Sequence, residues 1–310
     1  MSTIVACTSS GSDSSICINR LDSAINTYSS ADSFRRQEIQ RRFASDIAAF
    51  QTALADTMPV DSFMTVQSLS KGNAIFFPEV ECRFPTLDSI GKVLGGMRDN
   101  FVKGFGGEKF PRCTSIISTY NQSIILVDTV MLIGMNHYLG ENHPAYASFE
   151  PYLRKVKNPC HISYDVALSI IGSRHPYADE KQTIVSRLLY EGACLYAVKQ
   201  IIADFSLAEA LGWTESQMEW ANANEREIWN ALISRDLLFS TEPSVADRLF
   251  MPSPSTAILH RDSPGQLGRF VGYRIVESYV KSNPTIPLAK MLSTGFYVSP
   301  NTLNKAGYQP

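Results

Sequence analysis

The stretch Leu189-Tyr190-Glu191-Gly192-Ala193-Cys194-Leu195-Tyr196 puts one carboxylate inside an otherwise apolar run. How that run is read decides the fold. Between Asp179 and about Ile202 it is too long for an ordinary strand and predicts a buried helix. A carboxylate there is costly unless it is paired or bound. Arg187 stands four residues before Glu191 and shares its helix face, so an internal ion pair is the plain reading. The functional reading makes Glu191 a metal ligand or an acid–base group.

Working outward, the second half of the chain is expected to be helical. One helix is predicted from about His161 to Ile171 and another from Thr214 to about Leu238. Thr214-Glu215-Ser216-Gln217 is a capping box at the start of the latter. Ser263-Pro264-Gly265 introduces a last long helix reaching about Lys281, with proline where its missing N–H matters least. Toward the N-terminus, Phe34, Ile39, Phe43, Ile47, Phe50 and Leu54 form one apolar stripe, predicting a single helix over Asp32–Leu54. Thr86–Val102 reads as another, with Leu87, Ile90, Val93, Leu94 and Met97 inward. Cys113–Tyr120 and Ser123–Val127 are β-rich runs split by Asn121-Gln122, expected to form a hairpin or adjacent strands. Asp128 is expected to open a helix through about Tyr138. The fold class is therefore α+β, mostly helical, with a small β-sheet near residues 112–127 packed against helices. A single globular domain is expected over 18–310, behind a leader remnant and tether in 1–17.

With 310 residues and 44% hydrophobic content the chain can build a sizeable core. Its net charge of −2 leaves no basic footprint, and nucleic acid is not expected as a partner. Arg35, Arg36, Arg41 and Arg42 cluster within one helical segment and read as a solvated face. The longest apolar stretch, Ser123–Met135, is interrupted by Asp128 and is shorter than the roughly 20 residues that span a bilayer. Six cysteines show no Cys-x-x-Cys pair, so buried free thiols are the default.

Ile4-Val5-Ala6-Cys7 reads as the end of a bacterial lipoprotein signal, and the Ser-rich stretch Thr8–Ser15 after it reads as a tether. The residues ahead of Cys7 hold only the last part of such a leader. On this reading the Cys7 sulfur carries lipid and attaches the body to a membrane, facing the periplasm in the cell envelope.

Candidate chemistry is sparse. His161 and Asp165 stand one turn apart and can present two ligands to one cation, with Glu191 as a third. The five histidines include no pair at the spacing of an HExxH zinc motif. Asn224 and Glu225 lie mid-helix, where asparagine is disfavoured and hints at a specific hydrogen bond. Arg269 follows a small-residue helix start able to hold an anion, although Gly265 and Gly268 read equally as packing glycines. Trp213, Trp220, Trp229 and Tyr190 are candidates for lining a ligand cleft. No Gly-x-Ser-x-Gly elbow and no phosphate-binding glycine loop is present, and no cofactor is expected.

In order along the chain, Cys7, the His137–Tyr146 phrase, Tyr190–Tyr196, Gly212–Trp229, Leu237–Pro243 and Ser263–Val280 resemble the GldB family of gliding-motility-associated lipoproteins of the Bacteroidetes. The resemblance spans essentially the whole chain. It implies a lipoprotein that works with other envelope proteins of the gliding or type IX secretion machinery. The family is also distantly similar to predicted zinc peptidases, which implies a zincin-like core. On that comparison Glu191-Gly192 matches the third-ligand phrase, while Tyr164 and Leu168 stand where the two zinc histidines would be. The implied site is a noncatalytic remnant, a cleft of Tyr164, Asp165, Glu191, Asn224, Glu225 and Arg269 without metal. The alternatives are a divergent metal-dependent hydrolase using His161, Asp165 and Glu191, or an envelope peptide- or ligand-binding module.

Overall fold

The structure, a computed structural model, describes residues 14–118, 122–181 and 183–310. Cys7, Thr119 and Tyr120 of the expected β-rich run, and Asn121 of the dipeptide after it lie outside them.

The N-terminal third is built from short helices: α1 (Leu21–Tyr28), α2 (Ser33–Arg42), α3 (Ala44–Ala53), α4 (Val60–Ser68), α5 (Lys71–Arg83) and α6 (Asp88–Gly104). Four strands follow the chain as β1 (Asn19–Arg20), β2 (Arg112–Ile116), β3 (Ile124–Val127) and β4 (Val130–Gly134). They form one sheet in the order β1-β2-β4-β3. β1, β2 and β4 run parallel, and β3 is antiparallel to β4. Then come α7 (Pro151–Arg154), α8 (Ile162–Arg174), α9 (Ile184–Ile201), α10 (Leu207–Leu211), α11 (Glu215–Ala223), α12 (Glu225–Ser234), α13 (Pro243–Phe250) and α14 (Leu267–Ser282). The chain closes with α15 (Leu288–Met291), α16 (Thr294–Tyr297) and α17 (Pro300–Ala306). The expected α+β, mostly helical class is what the structure shows.

The sheet separates two cores. Val130 and Leu132 of β4 point into the smaller one with α1, α3 and α4, whose anchors include Tyr28, Ile47, Phe50 and Phe63. Met131 and Ile133 point the other way, into the main core of α6, α8, α9 and α14. Helices thus cover both faces, and every residue of β4 is buried. That double burial overturns one expectation. Asp128 does not open a helix: it sits at φ 50° in a two-residue turn joining β3 to β4. A strand buried on both faces loses its polar alternation, and its apolar run then looks like a buried helix. β2 and β3 are correspondingly not paired with each other, because β4 lies between them.

Two expected helices are each split. The stripe over Asp32–Leu54 breaks at Phe43, where ψ swings to 19°. The split leaves Phe34 outside the stripe, 78% exposed. The helix after Thr214 breaks at Asn224, whose Nδ2 donates to the Trp220 carbonyl at 2.7 Å. The disfavoured mid-helix asparagine thus marked a boundary. In α6, Leu94 and Met97 are buried as expected, but Val93 is 54% exposed. Residues 14–17, expected within the tether, are folded onto the domain: the Ile16 amide donates to the Gly91 carbonyl at 3.0 Å.

The capping box forms in full. Thr214 accepts from the Gln217 amide, and the Gln217 side chain accepts from the Thr214 amide at 2.9 Å. Thr214→Ala is expected to lower stability by about 1 kcal/mol, read as a shift of the urea midpoint without a change of slope.

Two long core helices, α9 and α14, cross at glycines. A methyl group built on Gly192 would lie 2.1 Å from the Gly272 carbonyl oxygen, and one on Gly272 would lie 2.1 Å from the Leu188 carbonyl oxygen. The backbones touch there, which brings side chains one turn away on the two helices into register.

Candidate functional site

Glu191 precedes the crossing glycine and faces α14. Its Oε1 lies 2.6 Å from Arg187 Nη2, and its Oε2 lies 3.3 Å from Arg269 Nε. The first partner is the expected neighbour at spacing four. The second comes from the first turn of α14. Arg187 is further held against three rings, with its guanidinium carbon 4.9 Å from the centre of Tyr177, 5.9 Å from Tyr190 and 5.8 Å from Phe250. Arg269 also donates from Nη1 to Gln266 Oε1 at 3.0 Å. Two cations therefore enclose one carboxylate; both Nε atoms are buried, and neither makes a hydrogen bond of good geometry among the described residues, Arg269 Nε meeting Glu191 as an ion pair only.

Asp165 is the hub of a second constellation at the start of α8. Its Oδ2 accepts hydroxyl bonds from Tyr138 at 2.7 Å and Ser123 at 3.1 Å. Its Oδ1 lies 3.5 Å from His161 Nε2. Lys157 reaches into the same region and contacts His137 Nδ1 at 3.1 Å. Burial pushes the Lys157 ammonium below its ordinary value, partly offset by Asp165. Burial also holds the Tyr138 phenol well above its usual range, reinforced by the Asp165 charge. His161 is pushed down by burial, against the pull of Asp165 and with a further push from Arg269. The imidazole packs with its ring centre 5.5 Å from that of Tyr164.

Tyr164 points away from Asp165. Its hydroxyl accepts from the Ser206 amide at 2.9 Å and donates to Glu209 at 3.2 Å, and burial pushes it up to about 12. It lines a groove of about 380 Å³ between α6 and α8, with Asn100, Cys160 and Glu209. Glu225 belongs to a third group. It accepts from Arg274 at 3.0 Å and from the Tyr308 hydroxyl at 2.8 Å, tying the C-terminal residues to α12 and α14. Of the six expected cleft residues, the structure thus brings Glu191 and Arg269 into contact and sets Asp165, Tyr164, Glu225 and Asn224 in other partnerships. The aromatic candidates also disperse. Trp213 is buried and donates to the Gly265 carbonyl at 3.0 Å, Trp220 packs on His260, and Trp229 packs on Tyr308. Tyr190 donates to the His175 carbonyl at 2.8 Å. Gly265 and Gly268 are packing glycines, closed by the Ser253 carbonyl and Phe250 respectively.

Among the described residues no group of three His, Cys, Asp or Glu side chains is placed to hold a metal ion. His161, Asp165 and Glu191 therefore do not converge as a ligand set. The residues that sequence reasoning missed are Tyr138, Ser123 and Lys157. Tyr138 lies in the His137–Tyr146 phrase, but only the fold places its hydroxyl on Asp165.

The family model described as gliding motility protein GldB matches residues 7–310. The chain belongs to the GldB family. No curated protein and no solved structure matches it. Family membership agrees with the landmark phrases, three of which map onto the helices just described: Tyr190–Tyr196 on α9, Gly212–Trp229 on α11 and α12, and Ser263–Val280 on α14. Among the described residues no helix is long and apolar enough to cross a membrane.

One buried imidazole, His161, and one half-buried, His175, set a pH dependence. His161 and His175 are both pushed below the ordinary imidazole value by burial. Their folded values lie under the unfolded one of about 6.5. As pH falls below that value the unfolded chain takes up protons that the folded chain refuses, so stability is complete above it and declines beneath it. The urea midpoint is expected to drop between neutral and mildly acidic pH, and His161→Gln should flatten part of that slope.

Proposed function

We propose that this GldB-family chain is a membrane-anchored, periplasm-facing lipoprotein, and that it serves gliding or type IX secretion machinery as a noncatalytic scaffold or assembly factor. The family match carries this reading, since it ties the chain to gliding motility over nearly its full length. The Ile4–Cys7 motif supports the lipid anchor, with 8–13 as the tether. The partnerships of the two core carboxylates support the noncatalytic part. Asp165 is filled by two hydroxyls and an imidazole, and Glu191 by two guanidiniums. A cation at Glu191 would have to displace an arginine that is already charge-matched there. We propose that the core is zincin-like in shape without zinc chemistry, a reading that rests on the family resemblance.

Crosslinking and pull-down from native membranes tests the scaffold role, with envelope proteins expected in the eluate. Metal analysis of purified, untagged protein tests the noncatalytic part. Stoichiometric zinc that disappears in Glu191→Ala would refute it and favour the hydrolase. Mass spectrometry of the cell-derived protein tests the anchor, since an unmodified thiol at Cys7 would remove it.

A further inference from the structure

The arginine cluster of α2 has no part in the constellations above. The helix carries four arginines, Arg35, Arg36, Arg41 and Arg42, against Glu38 alone, on a chain whose net charge is −2. Between α1 and α2 lies a groove of about 270 Å³, lined by Arg20, Ser23, Thr27, Arg35, Glu38 and Arg42 among others. Two of its cations are already matched. Arg20 is held by Asp22 and Glu81, and Arg35 is paired with Glu38. Arg42 has no carboxylate partner among the described residues, and its guanidinium rests over the Phe43 ring at 5.2 Å. Arg41 beside it is also exposed and free of ion pairs among the described residues. Phe34, next to Arg35, projects into solvent with 78% of its surface exposed.

We propose that this groove and the α2 face dock on a bilayer, with Arg42 receiving the phosphate of an anionic phospholipid headgroup, Arg35 joining it as its solvent-exposed pair with Glu38 is given up, and Phe34 entering the interfacial layer. Exposed arginines beside an exposed aromatic suit that interface: the cations meet the negative surface, and the ring leaves water at headgroup depth. A free phosphate would satisfy Arg42 but would leave Phe34 unexplained. Chain continuity also favours lipid. Cys7 stands thirteen residues ahead of Arg20, a contour of at most about 45 Å. A lipid on Cys7 would therefore keep the groove within reach of the membrane. This last argument rests on the anchor reading, whereas the charge and the exposed ring do not.

The test uses the full chain with Cys7→Ser, so docking is measured without any acyl chain. It is sedimented with vesicles of phosphatidylglycerol in phosphatidylethanolamine, and with neutral vesicles of phosphatidylethanolamine and phosphatidylcholine. Binding is expected to the anionic vesicles only and to be lost at high salt. Arg35→Gln with Arg42→Gln should weaken it about tenfold or more, and Phe34→Ser should weaken it while keeping the salt dependence. Lys281→Gln with Lys305→Gln, which removes the same charge from α14 and α17, should leave it unchanged. Equal binding to neutral vesicles, an unaffected double arginine variant, or an equal loss in the lysine control would overturn the proposal. So would inorganic phosphate perturbing Arg42 while vesicles do not bind. An unmodified Cys7 in cells would refute the anchor without touching this result.

Discussion

Gly192→Ala is expected to lower stability by about 3 kcal/mol, at or beyond the upper end of the usual range for overpacking. The reason is what the new methyl group meets. It would stand 2.1 Å from the Gly272 carbonyl oxygen and 2.2 Å from its carbonyl carbon. Those are backbone atoms in the middle of α14, and no rotamer change removes them. Relief requires the two helices to move apart, and that opens contacts along the main core between α9 and α14. Gly272→Ala should behave alike, because its methyl group meets the Leu188 carbonyl at 2.1 Å. Gly96→Ala is the control: nothing lies within 4 Å of the added carbon, and a helix-interior alanine should be neutral or stabilising. Urea unfolding of the three variants checks this. A Gly192→Ala protein as stable as the parent would mean the helices do not touch as described.

Glu191→Ala should cost about 3 kcal/mol, the low end of the penalty for breaking a buried pair. The Glu191 and Arg269 side chains keep only 13% and 15% of their surface in water, whereas Arg187 keeps 35%. Arg269 is thus left as the poorly hydrated, unmatched charge, while Arg187 recovers part of its hydration and keeps its three aromatic rings. The pair is informative as a cycle. Arg269→Met alone should be milder, since Glu191 retains Arg187. Arg269→Met on the Glu191→Ala background should recover part of the loss, because the stranded cation is gone. A favourable coupling of this kind, obtained from unfolding of the four proteins, is expected for an ion pair across α9 and α14. Additive losses would show that Glu191 and Arg269 do not interact.

Several parts of this arrangement are legible in the sequence. The Thr214 capping box, the apolar helix around Glu191 and the helix after Pro264 all express local rules, in which a cap or a periodic face is written within a few residues. Other elements are hidden from local rules. Val130–Gly134 looked helical because burial on both faces erased its alternation, and Asp128 carried the turn without the glycine that usually marks one. Phe34 continues the apolar period in sequence, but the helix breaks at Phe43 and leaves its ring in solvent. Asp165 was visible as a one-turn partner of His161, but Tyr138 and Ser123 reach it from 27 and 42 residues away. Of the six residues expected in one cleft, Glu191 and Arg269 meet directly, whereas Asn224 and Glu225 take partners of their own.

The contrast is sharpest at Glu191. Four residues of helix are enough to place Arg187 on its face, and that partner follows from 3.6 residues per turn alone. Arg269 stands 78 residues further on, and no periodicity spans that interval. It reaches the carboxylate because Gly192 and Gly272 lack side chains at one crossing and let two backbones touch. Short-range geometry is carried by the covalent chain; long-range pairing depends on which helices can approach, and only the packed interior decides that.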